Sequence, residues 1–93
     1  MELKAQKVSD VLKIISNKNR LLILCYLEEG KLSVGQLSEK IDSISMAAIS
    51  QHLNALKLSG IVENEKKGLS VFYHISDMRV VEVMKTLKEL YCK

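Results

Sequence analysis

Apolar residues recur at helical spacing along most of the chain, and the first such segment lies near the N-terminus. Four apolar side chains there stand at i, i+3, i+4 and i+7: Val8, Val11, Leu12 and Ile15. This spacing puts them on one face of an amphipathic helix. Residues 20–27 are almost all apolar, and Gly30 follows as a stop signal. We therefore predict a second helix, buried on all sides, that ends before this glycine.

The next segment has the signals of two short helices joined by a turn. Ser33 is a suitable N-cap for a third helix that carries Leu37 and Ile41. Residues 41–45 are polar enough for a turn, and Ser45 is a suitable N-cap for a fourth helix. Three apolar residues of this helix share one face: Ile49, Leu53 and Leu56. The pattern predicts a helix-turn-helix.

After Gly60 the period of the pattern changes from that of helices to that of strands. Residues 61–65 and 69–75 are rich in β-branched and aromatic side chains, and the Lys-Lys-Gly stretch 66–68 separates them. Two such runs around a short turn predict a β-hairpin with both lysines at its tip. Asp77 then caps a last helix, whose apolar set is wider than one stripe: Val80, Val83, Met84, Leu87, Leu90 and Tyr91. The order of elements predicts a mainly α fold with a small β-hairpin, a winged helix-turn-helix.

The outward face of the fourth helix carries short polar side chains, with Met46 and Ala47 beside them: Ser45, Ser50, Gln51 and Asn54. A helix that enters the DNA major groove needs small residues for close approach and amides that pair with an adenine edge. Gln51 and Asn54 suit that role, whereas Lys57 is placed to meet only the backbone or solvent. A solvated helix face has a similar composition, so this face alone leaves both interpretations open. Lys66 and Lys67 in the hairpin favour DNA, because a basic wing can follow the phosphate backbone.

Length and composition limit the classes of protein to consider. The 93 residues are enough for a single domain, taken as 1–93, and too few for two independent cores. Hydrophobic residues make up 47% and charged residues 27%, as in ordinary globular domains. The longest apolar run, residues 21–27, is far shorter than the roughly 20 residues of a membrane span, and no secretory signal is present. We therefore expect a cytoplasmic protein without a membrane partner. The net charge of +3 permits nucleic-acid binding without requiring it.

Catalytic and metal-binding motifs are not found in the sequence. It contains no Ser-His-Asp arrangement, glycine-rich phosphate loop, catalytic carboxylate pair or C-x-x-C motif, so we predict that the chain is not an enzyme. His52 and His74 are its two histidines, and His52 is expected to be a packed or capping residue. These donors are too few for a tetrahedral metal site, so we expect no metal and no cofactor. A winged helix that binds only protein is an alternative function.

Two stretches of sequence resemble the ArsR/SmtB family of bacterial winged-helix repressors: SVGQLSEK and AAISQHLNALKLSGIVENEKKGLSVFYHIS. The resemblance spans roughly residues 8–92 and implies a homodimer that binds operator DNA and releases it when an inducer arrives. It also implies dimerisation through the first and last helices, which accounts for the wide apolar set of the last one. Glu65 and Leu69 stand where the family often has arginine or glutamine, and the turn 41–45 carries one extra residue. These departures predict that the electrostatic attraction between this wing and DNA is weaker than is usual in the family.

The resemblance also bears on the inducer. Metal-sensing relatives carry a Cys-x-Cys pair where this sequence has Ser33 and Gly35, so metal sensing is not expected. The flanks of Cys25 and Cys92, ILCYLEEGKLSVGQLS and LYCK, are similar to the thiol-based branch with BigR/SqrR-type persulfide sensors and HlyU-type regulators. This similarity implies that oxidation or persulfidation of the two cysteines switches operator affinity. The alternative is a regulator with another inducer, in which the cysteines only pack.

Overall fold

The computed structural model describes residues 1–91, and its elements follow the predicted order. This range contains five helices and three strands: α1 (Glu2–Ile15), α2 (Lys18–Glu28), β1 (Leu32–Ser33), α3 (Val34–Lys40), α4 (Met46–Leu58), β2 (Val62–Lys67), β3 (Ser70–Ile75) and α5 (Met78–Tyr91). The strands form one antiparallel sheet in the order β1-β3-β2. Helices α3 and α4 are the helix-turn-helix, and β2 with β3 is the wing. The predicted winged helix-turn-helix is confirmed.

Side-chain caps begin the helices where the sequence predicts them. Ser33 starts α3 with a capping box, in which its hydroxyl accepts from the Gln36 N–H at 3.1 Å and the Gln36 side chain accepts from the Ser33 N–H at 2.9 Å. The Ser45 hydroxyl accepts a backbone N–H of the first turn of α4 at 3.1 Å. The Asp77 carboxylate accepts from the Arg79 N–H at 3.0 Å as α5 begins. Each cap satisfies a backbone donor that has no partner within its helix.

The hydrophobic core lies where α2, the helix-turn-helix, the sheet and α5 meet. Its completely buried large side chains come from all of these elements: Ile23, Leu24, Leu37, Ile49, Leu53, Leu56, Ile61, Val62 and Met84. Burying one such side chain contributes about 1.5–3 kcal/mol. Because α4 supplies three of them, its orientation is set by the core itself.

The two helices that precede the helix-turn-helix are less buried than their sequences predict. The prediction that α2 is buried on all sides is wrong, because only Ile23, Leu24 and Leu27 are buried and its other apolar side chains are half-buried. Helix α1 buries Ile15 alone, while Val8 and Leu12 are 58% and 53% exposed. The reason is that the rest of this chain covers only one side of each helix.

The tip of the wing lies further along the chain than predicted. Strand β2 continues through Lys67, which pairs with Ser70, so that only Gly68 and Leu69 form the loop. Gly68 has φ +63°, the positive value that the first residue of such a two-residue loop requires. The prediction that Lys66 and Lys67 form the tip is therefore wrong, since both pair with β3.

The short strand β1 was not predicted. Leu32 pairs with Tyr73 and Ser33 pairs with Phe72, which places β1 at the edge of the sheet beside β3. Two residues are too few to show a strand periodicity, so only the pairing with β3 defines this strand. It attaches the wing to the segment that leads into α3.

Candidate DNA-binding interface

The side of α4 that faces away from the core is exposed along its length. Ile49, Leu53 and Leu56 on the opposite side are completely buried, and this burial fixes the rotation of the helix about its axis. The residues predicted to face DNA are all exposed: Ser45, Met46, Ala47, Ser50, Gln51, Asn54 and Lys57. We call them the reading face. Three of these side chains are small, those of Ser45, Ala47 and Ser50, so the DNA major groove could come close to the helix backbone there.

The polar groups of the reading face differ in the hydrogen bonds that they already form within the chain. Within residues 1–91 the side-chain amides of Gln51 and Asn54 form no hydrogen bond. The Ser45 hydroxyl accepts the capping bond but retains its own proton for donation. Lys57 donates from Nζ to Asn64 Oδ1 at 3.2 Å, so its ammonium is held between α4 and β2. The two amides are therefore the groups most available to pair with base edges.

Behind the reading face, Arg20 connects α4 to α1. Its Nε donates to His52 Nδ1 at 3.1 Å, and its Nη1 donates to the Ile14 carbonyl at 3.0 Å. His52 is thus a packed residue of α4, as predicted, with a partner that was not predicted. The carbonyl belongs to the last turn of α1, where backbone acceptors lack helical donors. One guanidinium therefore fixes the back of α4 and the end of α1.

The hydrogen bond from Arg20 requires a neutral imidazole, because Nδ1 must offer a lone pair. Partial burial lowers the pKa of His52 below its usual value, and the positive charge of Arg20 lowers it further. The neutral form is therefore the one that suits the fold at neutral pH.

The two lysines of the wing lie on opposite faces of β2, because successive side chains of a strand alternate. Lys66 shares its face with Asn64, the residue that contacts Lys57 of α4. Lys67 shares the other, outer face with Glu65. The sequence analysis treated the lysines as one basic tip, but Lys66 alone is on the side of α4.

On the outer face of the wing, Glu65 binds two lysines. Its Oε1 accepts from Lys31 Nζ at 3.1 Å and lies 3.7 Å from Lys67 Nζ. We call these three residues the wing ion cluster. The hydrogen bond from Lys31, its charge and that of Lys67 lower the pKa of Glu65. No sequence signal identified Lys31, because it lies 34 positions before its partner.

A separate exposed surface is apolar and belongs to α1 and α5. On α5, Val80 and Met84 are buried, but other apolar side chains of the two helices are not: Val8 and Leu12 of α1, and Val83, Leu90 and Tyr91 of α5. We call these five residues the α1–α5 surface. Between the two helices runs a groove of about 460 Å³ with mostly apolar walls, including Val11 and Ile15. Exposed apolar side chains beside an apolar groove are typical of a site of contact with another molecule.

Of the two predicted switch residues, Cys25 is half-buried in α2 and packs against the core, and Cys92 lies outside the described residues. An ion pair joins the segments next to them. Lys88 Nζ donates to Glu28 Oε2 at 3.1 Å and to Glu29 Oε1 at 3.3 Å, about one turn after Cys25. The hydrogen bond to Glu28 is the main cause that raises the pKa of Lys88. The end of α5 is thereby held against the end of α2.

Residues 1–91 show no metal-binding cluster and no membrane-spanning helix. No three His, Cys, Asp or Glu side chains in this range lie together in a way that could hold a metal ion. His52 is bonded to Arg20, and His74 is exposed on β3. Within the same range, every helix is too short or too polar to cross a bilayer.

Comparison with known proteins agrees with this geometry. Residues 17–64, which include the helix-turn-helix, match the family of bacterial regulatory proteins described as the arsR family. The transcriptional activator HlyU of Vibrio cholerae is 40% identical over the whole chain, which spans 85% of HlyU. The chain belongs to the ArsR family. This ArsR protein is a DNA-binding transcriptional regulator, and its homologues are regulators rather than enzymes.

Three solved structures of similar proteins have the same fold as this ArsR protein. Reduced HlyU from Vibrio cholerae has a TM-score of 0.94 at 40% identity, covering 100% of this chain and 97% of that one. The repressor BigR from Xylella fastidiosa has a TM-score of 0.90 at 34% identity, with coverage of 100% and 94%. A homodimeric winged-helix domain, Mb0332 from Mycobacterium bovis, has a TM-score of 0.81 at 26% identity, with coverage of 96% and 82%. The resemblance to the HlyU- and BigR-like branch is confirmed.

The bond between Arg20 and His52 predicts a pH dependence of stability. Because folding lowers the pKa of His52, the unfolded chain takes up its proton first, near pH 6.5. The associated stability is present above that pH and is lost as the pH falls through the lower pKa of the folded protein. Urea unfolding between about pH 7.5 and 5 should show this loss in the wild type and a smaller one in His52→Gln. His74→Gln is the control, since it removes an exposed imidazole that takes no part in this bond. An unchanged pH dependence in His52→Gln would contradict this assignment.

Proposed function

We propose that this ArsR protein binds operator DNA as a homodimer, with α4 of each subunit in the major groove, and that thiol oxidation or persulfidation weakens this binding. The observation that carries the proposal is the reading face, which is exposed opposite a completely buried apolar face. Its two unoccupied amides have the chemistry of adenine recognition. The protein acts as a repressor by occupying its operator, and it works in the cytoplasm, where that DNA is.

Each group of the reading face has a role set by its chemistry and position. Gln51 and Asn54 pair with base edges, while the small side chains beside them permit close approach: Ser45, Ala47 and Ser50. Met46 lies on the same face as an exposed apolar side chain. Lys57 and Lys66, on the side shared by α4 and β2, neutralise backbone phosphates. Lys67 contributes less, because its ammonium lies near Glu65. Two reading faces related by a two-fold axis fit half-sites about ten base pairs apart.

The partner of the α1–α5 surface is a second copy of the chain. Helix α1 has fourteen residues and buries one of them in its own subunit, so most of its apolar face lacks cover. Val83 and Leu90 lie seven positions apart on α5, that is, on one stripe of the helix. A two-fold dimer covers the same patch on both subunits at once. Mb0332, a structural relative, is homodimeric, which supports this assembly.

The proposed switch joins Cys25 and Cys92. Lys88 holds the last turns of α5 against the segment after Cys25, and this contact between α5 and the end of α2 supports the proposed pairing. When the disulfide forms, each thiol gives up one hydrogen, and hydrogen peroxide accepts both to form two waters. A persulfide instead transfers its outer sulfur to one cysteine and leaves as a thiol. The other cysteine then attacks the inner sulfur of that protein persulfide, which forms the disulfide and releases hydrogen sulfide. The disulfide from either route ties α2, which underlies the helix-turn-helix, to the end of α5, and it changes the separation of the two reading faces.

Gln51 is expected to supply base discrimination. Gln51→Ala should cost about 1–3 kcal/mol of operator affinity and reduce the preference for operator over random DNA. Lys66→Ala is the matched control, because loss of a phosphate contact weakens binding to all sequences alike. Fluorescence polarisation with both duplexes measures the two effects. If Gln51→Ala kept the full discrimination of the wild type, the role of the reading face would be wrong.

Substitutions at the neighbouring residues Val83 and Met84 distinguish the proposed dimer interface from the core. Val83 is 44% exposed on the α1–α5 surface, whereas Met84 is 1% exposed. Val83→Glu should give a folded monomer with reduced operator affinity, while Met84→Ala should remain dimeric but lose about 2–5 kcal/mol of unfolding free energy. Sedimentation and circular dichroism test both variants. A wild-type protein that is monomeric at micromolar concentration would refute the dimer.

The cysteine switch is tested by operator binding before and after treatment with peroxide or a persulfide. We expect treatment to weaken binding by the wild type about tenfold or more, which is about 1.4 kcal/mol. Cys92→Ser, which cannot form the link, should bind equally well in both states. Equal affinity of the wild type before and after treatment would leave a regulator without a thiol switch. Mass spectrometry under the same conditions identifies the link.

A further inference from the structure

The wing ion cluster brings two cations together on the outer face of the sheet. Lys31 Nζ and Lys67 Nζ approach the same carboxylate oxygen of Glu65, at 3.1 and 3.7 Å, so they lie within about 7 Å of each other. Proximity to Lys31, through a side-chain hydrogen bond and its charge, lowers the pKa of Lys67. All three side chains are about half exposed, so DNA could reach them. The cluster therefore has two accessible cations and one carboxylate that binds both.

We propose that Glu65 restrains the DNA affinity of the wing, and that Lys31 and Lys67 form a second phosphate-binding surface when released from it. This proposal rests on the proposed role of the wing in binding DNA. Lys31 belongs to no predicted DNA contact, since it precedes β1 and reaches the wing only through the fold. Glu65 thus limits how much Lys31 and Lys67 contribute to the binding of DNA of any sequence.

The restraint follows from competition between two kinds of anion. A carboxylate and a phosphate oxygen accept hydrogen bonds from the same ammonium donors. Glu65 is attached to the wing and acts at fixed short distance, so a phosphate must displace it before either lysine gains a new partner. Each DNA strand carries one phosphate per nucleotide, so two ammonium groups within about 7 Å of each other can contact neighbouring phosphates of one strand. Release of both lysines would therefore add up to two phosphate contacts per subunit.

Lys66 provides an internal comparison. It lies on the other face of β2, and within residues 1–91 it forms no ion pair. Its contribution to DNA binding should not depend on Glu65. Lys66 then provides the DNA affinity that the wing has in the wild type. The additional affinity that Glu65 restrains would come from Lys31 and Lys67 of the wing ion cluster.

The test compares Glu65→Gln with Glu63→Gln on operator and random duplexes over a range of salt concentrations. Both variants remove one exposed carboxylate from the same face of β2, but Glu63 forms no ion pair within the described part of the chain. Glu65→Gln should bind both duplexes roughly tenfold more tightly at low salt and steepen the salt dependence by about 0.9 per released lysine per subunit. Glu63→Gln should change affinity less and leave the slope nearly unchanged.

A double variant identifies the lysines. Adding Lys31→Ala to Glu65→Gln should remove about half of the gained slope, whereas adding Lys66→Ala should lower affinity without removing that gain. Equal behaviour of Glu65→Gln and Glu63→Gln, with operator binding intact in the wild type, would overturn this proposal alone. Absence of duplex binding by every variant and by the wild type would overturn it together with the proposed function.

Discussion

Complete burial of one face of α4 is the constraint on which the rest of the molecule depends. Ile49, Leu53 and Leu56 have no solvent exposure, so the helix cannot rotate without exposing large apolar side chains to water. The opposite face is consequently held outward as a rigid group of small and amide side chains. The surface proposed to recognise DNA is therefore produced by packing on the other side of the same helix, with no need for a special local backbone.

Around this fixed helix, polar contacts set the positions of the neighbouring elements. Arg20 joins α4 to the end of α1, Lys57 joins it to the wing, and Lys88 joins α5 to α2. Each contact lies at the edge of the core, where a charged group keeps partial access to water and avoids the cost of full burial. The same set of polar contacts therefore holds in place the elements proposed to bind DNA, the elements proposed to form the dimer and those proposed to react with an oxidant.

Features that depend on residues close together in the sequence could be predicted, whereas contacts between distant residues could not. Helices capped by Ser33, Ser45 and Asp77 were predicted, because a capping side chain and the backbone N–H that donates to it lie within three residues. The wing was correctly predicted to be a β-hairpin. Its tip was placed too early in the chain, because the ends of strands depend on pairing across the hairpin. The contacts of Lys31 with Glu65 and of Lys88 with Glu28 span 34 and 60 positions, and no local pattern contains them. The reading face followed from helical periodicity, whereas its connection to Arg20 required the fold.

Ser33 serves two elements at once. Its backbone is paired with Phe72 at the edge of the sheet, while its side chain and N–H form the capping box of α3. No flexible linker separates the wing from the helix-turn-helix at this point, so a displacement of the hairpin is transmitted directly to the start of α3. In the proposed complex with DNA, a shift of the wing along its groove would thereby act on the start of the helix-turn-helix. Sequence-dependent DNA shape would then affect binding by this mechanical route at base pairs that no side chain touches.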